Sequence, residues 1–219
     1  MDRYGDHALT CCCGGDRTKR HNLIRNAIHF LLLGAGFASE LERPGLLRPR
    51  PYHGSAYEDG SARRADDENQ DARRPADVYV PRWRAGLPVA LDLAVTSGLR
   101  EDLVHLSARD PAAALLRYED FKCSYKDTKR TCMDEGLSFT PLILEAVGGG
   151  WGAQAHKVLA ELAKTTSSME GEPADTCSVR AQQRISLILH RENARAVLRH
   201  LTPHLPLPAH HADTTTDNR

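Results

Sequence analysis

The sequence lacks the features that mark a membrane protein, a secreted scaffold or a uniformly charged binder. No run of about 18 apolar residues occurs, and the longest, around Phe30–Leu33, suits a buried helix. The start has neither the basic cluster nor the apolar core of a secretory signal. Basic and acidic side chains balance at 29 each, so no global field announces a nucleic-acid or membrane partner; any basic surface is local. Six cysteines are present, but Cys11, Cys12 and Cys13 are consecutive and form no spaced disulfide framework. The expectation is a reducing, intracellular setting. Three glycines at 148–150 lack a following Lys-Ser/Thr, which removes a P-loop reading. No internal repeat is visible.

What is present alternates between helical and extended patterns. Residues 1–20 are short and polar and read as loop. Ile24, Ala27, Ile28, Leu31 and Ala35 then recur at three- and four-residue steps, predicting a helix over 21–36 that Gly34 and Gly36 end. A short extended piece follows at 37–47. Residues 48–72 are rich in Arg, Pro, Gly, Asp and Glu, the composition of a flexible insertion. "RRPADVYVPRWRAGLPVALDLAVTS" (73–97) reads as two strands joined by a turn. Asp110, Pro111 and Gly136 punctuate a helix over 111–135. "LSFTPLILEA" (137–146) is a mostly apolar strand, expected to be central. Helices over 152–164 and 178–201 and a disordered tail from Pro203 complete the chain. The fold class is α/β: a mixed sheet with the order α, β, β, β, α, β, then two C-terminal helices.

Asp is depleted in strands, yet each strand of the 73–97 hairpin carries one, Asp77 and Asp92. Val89, Leu91, Leu93 and Val95 alternate with Ala90, Asp92, Ala94 and Thr96, so one face is core and Asp92 sits on the other. Matching apolar to apolar pairs Val78 with Leu91 and Val80 with Val89, which sets Asp77 across from Asp92. Directly opposed side chains have Cβ atoms about 4.5–5.5 Å apart, where two like charges repel unless a cation lies between them. The alternative is a pair of separately solvated aspartates on an exposed hairpin. Lys122 lies on the face of the 111–135 helix that also holds Leu115, Tyr118 and Tyr125.

"RRPADVYVP", "ALDLAVTS", "YEDFKCSYKDTKRTC" and "GLSFTPLILEAVGGGWG" together resemble the restriction-endonuclease-like domain at the C-terminal end of site-specific non-LTR retrotransposon and reverse-transcriptase-associated proteins. That family belongs to the PD-(D/E)XK nuclease superfamily, whose core has the order αβββαβ. The resemblance implies a DNA endonuclease that holds Mg (or Mn) on Asp77 and Asp92. The superfamily lysine two positions after the second acid is replaced by Ala94 here, and the resemblance moves that role to Lys122, with Tyr125 following it. Arg74 stands in the family's basic-Pro-Asp opening, with Ala76 inserted before Asp77. Glu42 is the counterpart of a further family acid, with Glu40 as the alternative. The carbonyl of Leu93 would complete the metal shell.

"GDHALTC" resembles the end of a Cys-Cys-His-Cys zinc knuckle, with His7 and Cys11 as third and fourth ligands; the first two are missing from the sequence, so the Zn site is incomplete. "RHN" at 20–22 also recurs in the family, with His21 open between a functional and a packing role. The resulting domains are a knuckle remnant and loop at 1–20, an endonuclease-like domain at 21–165, a helical extension at 166–202 and a tail at 203–219. Arg73, Arg82 and Arg84 are candidate phosphate contacts, and Trp83 either stacks on DNA or caps the core. The implied partners are DNA and RNA of a parent element, with no membrane, in the nucleus. Two other readings stay open: a catalytically inactive nucleic-acid-binding remnant, and an α/β interaction protein whose aspartates are incidental.

Overall fold

A computed structural model describes residues 6–11, 13–48 and 75–201. The insertion beyond Arg48, Arg73, Arg74, Cys12 and the tail at 203–219 lie outside the described residues. A four-stranded mixed sheet in the order β1-β2-β3-β4 forms the centre: β1 (Glu40–Leu41), β2 (Val78–Val80), β3 (Val89–Thr96) and β4 (Ser138–Glu145). β1, β2 and β3 are antiparallel neighbours, and β4 joins β3 in parallel. The hairpin register pairs Val78 with Leu91 and Val80 with Val89, as the alternation requires. β4 is an edge strand, not a central one. It reads as apolar because helices cover both of its faces, and Pro141, which has no amide to donate, is tolerated at an edge.

One face of the sheet carries the main core. Val78, Val80, Leu91, Leu93, Leu142 and Leu144 pack there against Ile24, Ile28 and Leu32 of α2 (Asp16–Gly34). Leu159 and Leu162 of α6 (Ala153–Glu170) and Ile185 and Leu189 of α7 (Ala174–Leu201) complete this layer. The last helix is therefore part of the core layer and does not stand apart from it. Its start at Ala174, and the end of α6 at Glu170, extend the expected helices toward the turn at Gly171, whose φ of 73° suits glycine. α2 begins five residues before the expected start at 21, after Gly14 and Gly15, both at positive φ; α1 (Asp6–Thr10) replaces the expected loop.

The other face is covered by α4 (Ala113–Ser124) and α5 (Thr128–Asp134), which follow α3 (Val104–Ser107). The single helix expected over 111–135 is broken at 125–127, where Lys126 and Asp127 adopt φ of 50° and 53°. The break has a packing cause. Leu115 of α4 meets Ala94 and Ile143, whereas Cys132 of α5 meets Ala76, Ala90 and Phe139 further down the sheet. One straight helix does not serve both clusters. Among the described residues no helix is long and apolar enough to cross a membrane.

Candidate active site

The sheet is uneven, and that unevenness makes the site. β3 runs eight residues, but β2 pairs with only its first three, so β3 has an open edge from Asp92 onward. Asp77 stands where β2 begins. Its amide donates to the Leu91 carbonyl at 3.0 Å, and its own carbonyl accepts from the Glu42 amide at 3.0 Å. Its side chain then takes over from the strand: Oδ2 accepts from the Leu93 amide at 2.7 Å, where a backbone carbonyl would otherwise bond. Oδ1 lies 3.0 Å from His21 Nε2 of α2.

Asp92 sits on the α4 face of β3, between the buried Ala90 and Ala94. Their small side chains leave room for its carboxylate and for Lys122, whose Nζ reaches from α4 to Asp92 Oδ2 at 2.9 Å. Burial, with the adjoining Asp77 carboxylate, pushes the Asp92 carboxyl up to about 6, against the pull of Lys122. For Lys122 burial works downward, but the charge and hydrogen bond of Asp92, with the charge of Asp77, outweigh it and leave the ammonium above its usual range. Two carboxylates and an ammonium from three elements are thus held together. The structure brings Asp77, Asp92 and Lys122 together.

Beside this cluster lies a cleft of about 520 Å³ between the α1–α2 corner, the end of β3 and α4. Arg17, Arg20, His21, Arg100, Tyr118 and Lys122 line it, with Asp6 as its acidic member. The two aspartates are not in the lining; His21, Leu93 and Lys122, which touch them, are. Arg100 is held by Asp102 at 3.1 Å. Arg20 is buried and donates to Asn193 Oδ1 at 2.6 Å and to the Leu9 carbonyl at 3.0 Å, while Asn193 bonds the Ala146 carbonyl at 2.7 Å. That network ties α1, α2 and α7 to the end of β4, and burial draws the Arg20 guanidinium below its usual range.

No protein-family model and no curated protein matches this chain. The reading of the site therefore rests on its geometry.

Several expected residues lie elsewhere. The Glu42 carboxylate is turned to Arg25 at a positive-φ position, and Glu40 pairs with Arg43 at 2.9 Å; neither lines the cleft. Tyr125 is half-exposed at the helix break, 5.3 Å from the Phe121 ring, and Tyr118, about two turns earlier, takes the place in the cleft. Arg82, Trp83 and Arg84 sit at the turn end of β2, the opposite end from Asp77. Trp83 packs on Phe37 with ring centroids 4.7 Å apart, and Arg84 is bound to Glu161 and the Lys157 carbonyl. The core-capping reading of Trp83 is the one the packing supports.

His7 is on α1 with its ring 5.7 Å from that of His200, and the Cys11 amide bonds the His7 carbonyl. Among the described residues, the one trio of His, Cys, Asp or Glu close enough to share an ion is Glu170, Glu172 and Cys177. Arg180 already pairs with both of those glutamates, at 2.6 and 3.0 Å. Glu145 closes the 146–148 turn through the amides of Val147 and Gly148. Tyr118 and Arg20 are the site residues to which sequence reasoning gave no role, and His21 is the one it left open. A signal existed: His21 is in phase with Ile24 and Ile28, and Arg20 with Ile24 and Ala27, so both polar groups ride on the buried stripe.

Proposed function

We propose that this protein is a metal-dependent phosphodiesterase of endonuclease type, acting on DNA through a restriction-endonuclease-like αβββαβ core. The observation that carries the reading is the meeting of Asp77, Asp92 and Lys122 beside a cleft walled by Arg17, Arg20 and Arg100. Two carboxylates pressed together, one with its pKa raised to about 6, form an oxygen donor set suited to a hard divalent cation such as Mg or Mn. When bound, such an ion lowers the pKa of a water and offsets charge developing on phosphate.

The chain's own residues supply the rest. Asp77 is fixed on both oxygens by neighbouring elements and provides a rigid ligand direction; Asp92 is held by the long side chain of Lys122 and by Asp77 itself. With Asp77 and Asp92 holding such an ion, the Lys122 ammonium, which already lines the cleft, would be available to face it. There it orients a water or pairs with a phosphate oxygen. Arg17 and Arg100 of the cleft wall hold the flanking phosphates, a salt-sensitive attraction with no base preference of its own, while the buried Arg20 stays in its structural network.

The runner-up is an inactive nucleic-acid-binding protein. Its supporting observation is that Lys122 already neutralises Asp92, so the cluster is satisfied without an ion. Nicking of supercoiled plasmid by the purified chain in Mg or Mn separates the two. Loss of nicking in Asp77→Asn and Asp92→Asn supports catalysis, whereas equal nicking by the variants assigns the activity to a contaminant. DNA retention without nicking supports the runner-up.

A further inference from the structure

We propose that His21 is the positioning residue of the acid pair: it fixes the direction of the Asp77 carboxylate and thereby sets the affinity of the site for a divalent cation. The inference rests on the metal-site reading of Asp77 and Asp92 and goes beyond it by assigning a residue outside the strands.

The sequence places His21 one helical step before Ile24 and two before Ile28, both buried in the main core. A histidine in that phase is carried toward the sheet, where a solvated surface residue would point away. Its Nε2 meets Asp77 Oδ1 at 3.0 Å, and the Leu93 amide meets Oδ2 at 2.7 Å. Each oxygen therefore accepts one donor, from two different elements, and rotation of the carboxylate breaks both bonds at once. A carboxylate oxygen has two lone-pair directions, so one per oxygen stays open for a cation. Asp92 has no backbone or histidine clamp of this kind: its partners are a lysine with four rotatable bonds and Asp77 itself. The pair thus combines one fixed and one adaptable ligand, and His21 makes the difference.

Hydrogen-bond partners of metal ligands are worth about 10–100-fold in affinity or activity when removed. The decisive comparison separates the bond from the bulk of the ring. His21→Phe keeps the volume and removes the donor; His21→Leu is a second donor-free variant; His21→Gln carries an amide nitrogen at similar reach. Manganese binding by the full chain is measured by titration calorimetry, with thermal unfolding of each variant followed alongside.

The expected result is Mn affinity reduced at least about tenfold in the donor-free variants and restored to within a few-fold in His21→Gln, with turnover at saturating Mn largely recovered. A wild-type protein that binds Mn while the donor-free variants bind equally well overturns the positioning role and leaves the metal site standing. A wild-type protein that binds no Mn removes both. A purely packing role shows itself as a lower melting temperature with unchanged affinity, and that also overturns the proposal.

Discussion

Lys122 Nζ and Asp92 Oδ2 are 2.9 Å apart although they come from a helix and a strand and stand thirty positions apart in the sequence. Both side chains are mostly buried, at 23% and 19% exposure, so the contact is screened far less than a surface pair. This ion pair closes the acid cluster when no cation is present, and most of the expected behaviour follows from it.

Replacing Lys122 with Met leaves the Asp92 carboxylate buried beside Asp77 with no cation near it. The metal-free variant should lose about 1–3 kcal/mol at pH 7.5, measured by urea unfolding in EDTA. At pH 4.5 the deficit should shrink, because Asp92 is then largely protonated in the folded protein with or without the lysine.

The raised Asp92 carboxyl also fixes a pH trend. Its folded pKa of about 6 lies above the ordinary 3.8, so between those values the folded chain holds a proton that the unfolded chain has released. Stability from this group is therefore full below about pH 4, falls as pH rises through about 6, and is flat above. The span corresponds to at most on the order of 3 kcal/mol. Asp92→Asn should flatten that part of the profile, and the difference between the wild-type and variant curves isolates it from other groups.

Gly152 shows how the crossover from β4 to α6 is locked. Glu119 is buried and accepts from the Gln154 amide at 3.0 Å, placing its charge at the start of α6. A Cβ at position 152 would overlap Glu119 Oε1. Gly152→Ala should cost about 1–3 kcal/mol, and adding Glu119→Ala should cost less than the sum of the two single changes. Additive losses in thermal unfolding would show that the two residues are not in contact.

Trp83→Ala should lower stability by about 2 kcal/mol through lost packing on Phe37, while Mn affinity stays at the wild-type value. Arg84→Ala should change stability by no more than about 1 kcal/mol, since its pair with Glu161 is exposed. A large drop in Mn binding in either variant would place the turn nearer the acids than the strand register does.

The strand pairing was legible in the sequence because period-two alternation admits one register: moving either strand by a residue turns Val78 or Leu91 out of the core. That same register brings Asp77 and Asp92 together, and the aromatic stripe of α4 pointed Lys122 at them. The break at 125–127 was not legible, because it answers to two separate clusters on the sheet face and not to any local stop signal. Nor was the edge position of β4: coverage by helices on both faces gives an edge strand the composition of a central one. His21 stayed open between function and packing because a polar side chain on a buried stripe is meaningful only once its partner across the fold is known. The partner is Asp77, 56 residues away.

The most direct test is crystallographic. Crystals of the chain soaked in MnCl₂ and measured at the manganese edge should show one anomalous peak in contact with the carboxylates of both Asp77 and Asp92, with Lys122 Nζ withdrawn from Asp92 Oδ2. A peak absent from that position at saturating manganese, with the Lys122–Asp92 pair intact, would contradict the metal site and the phosphodiesterase built on it.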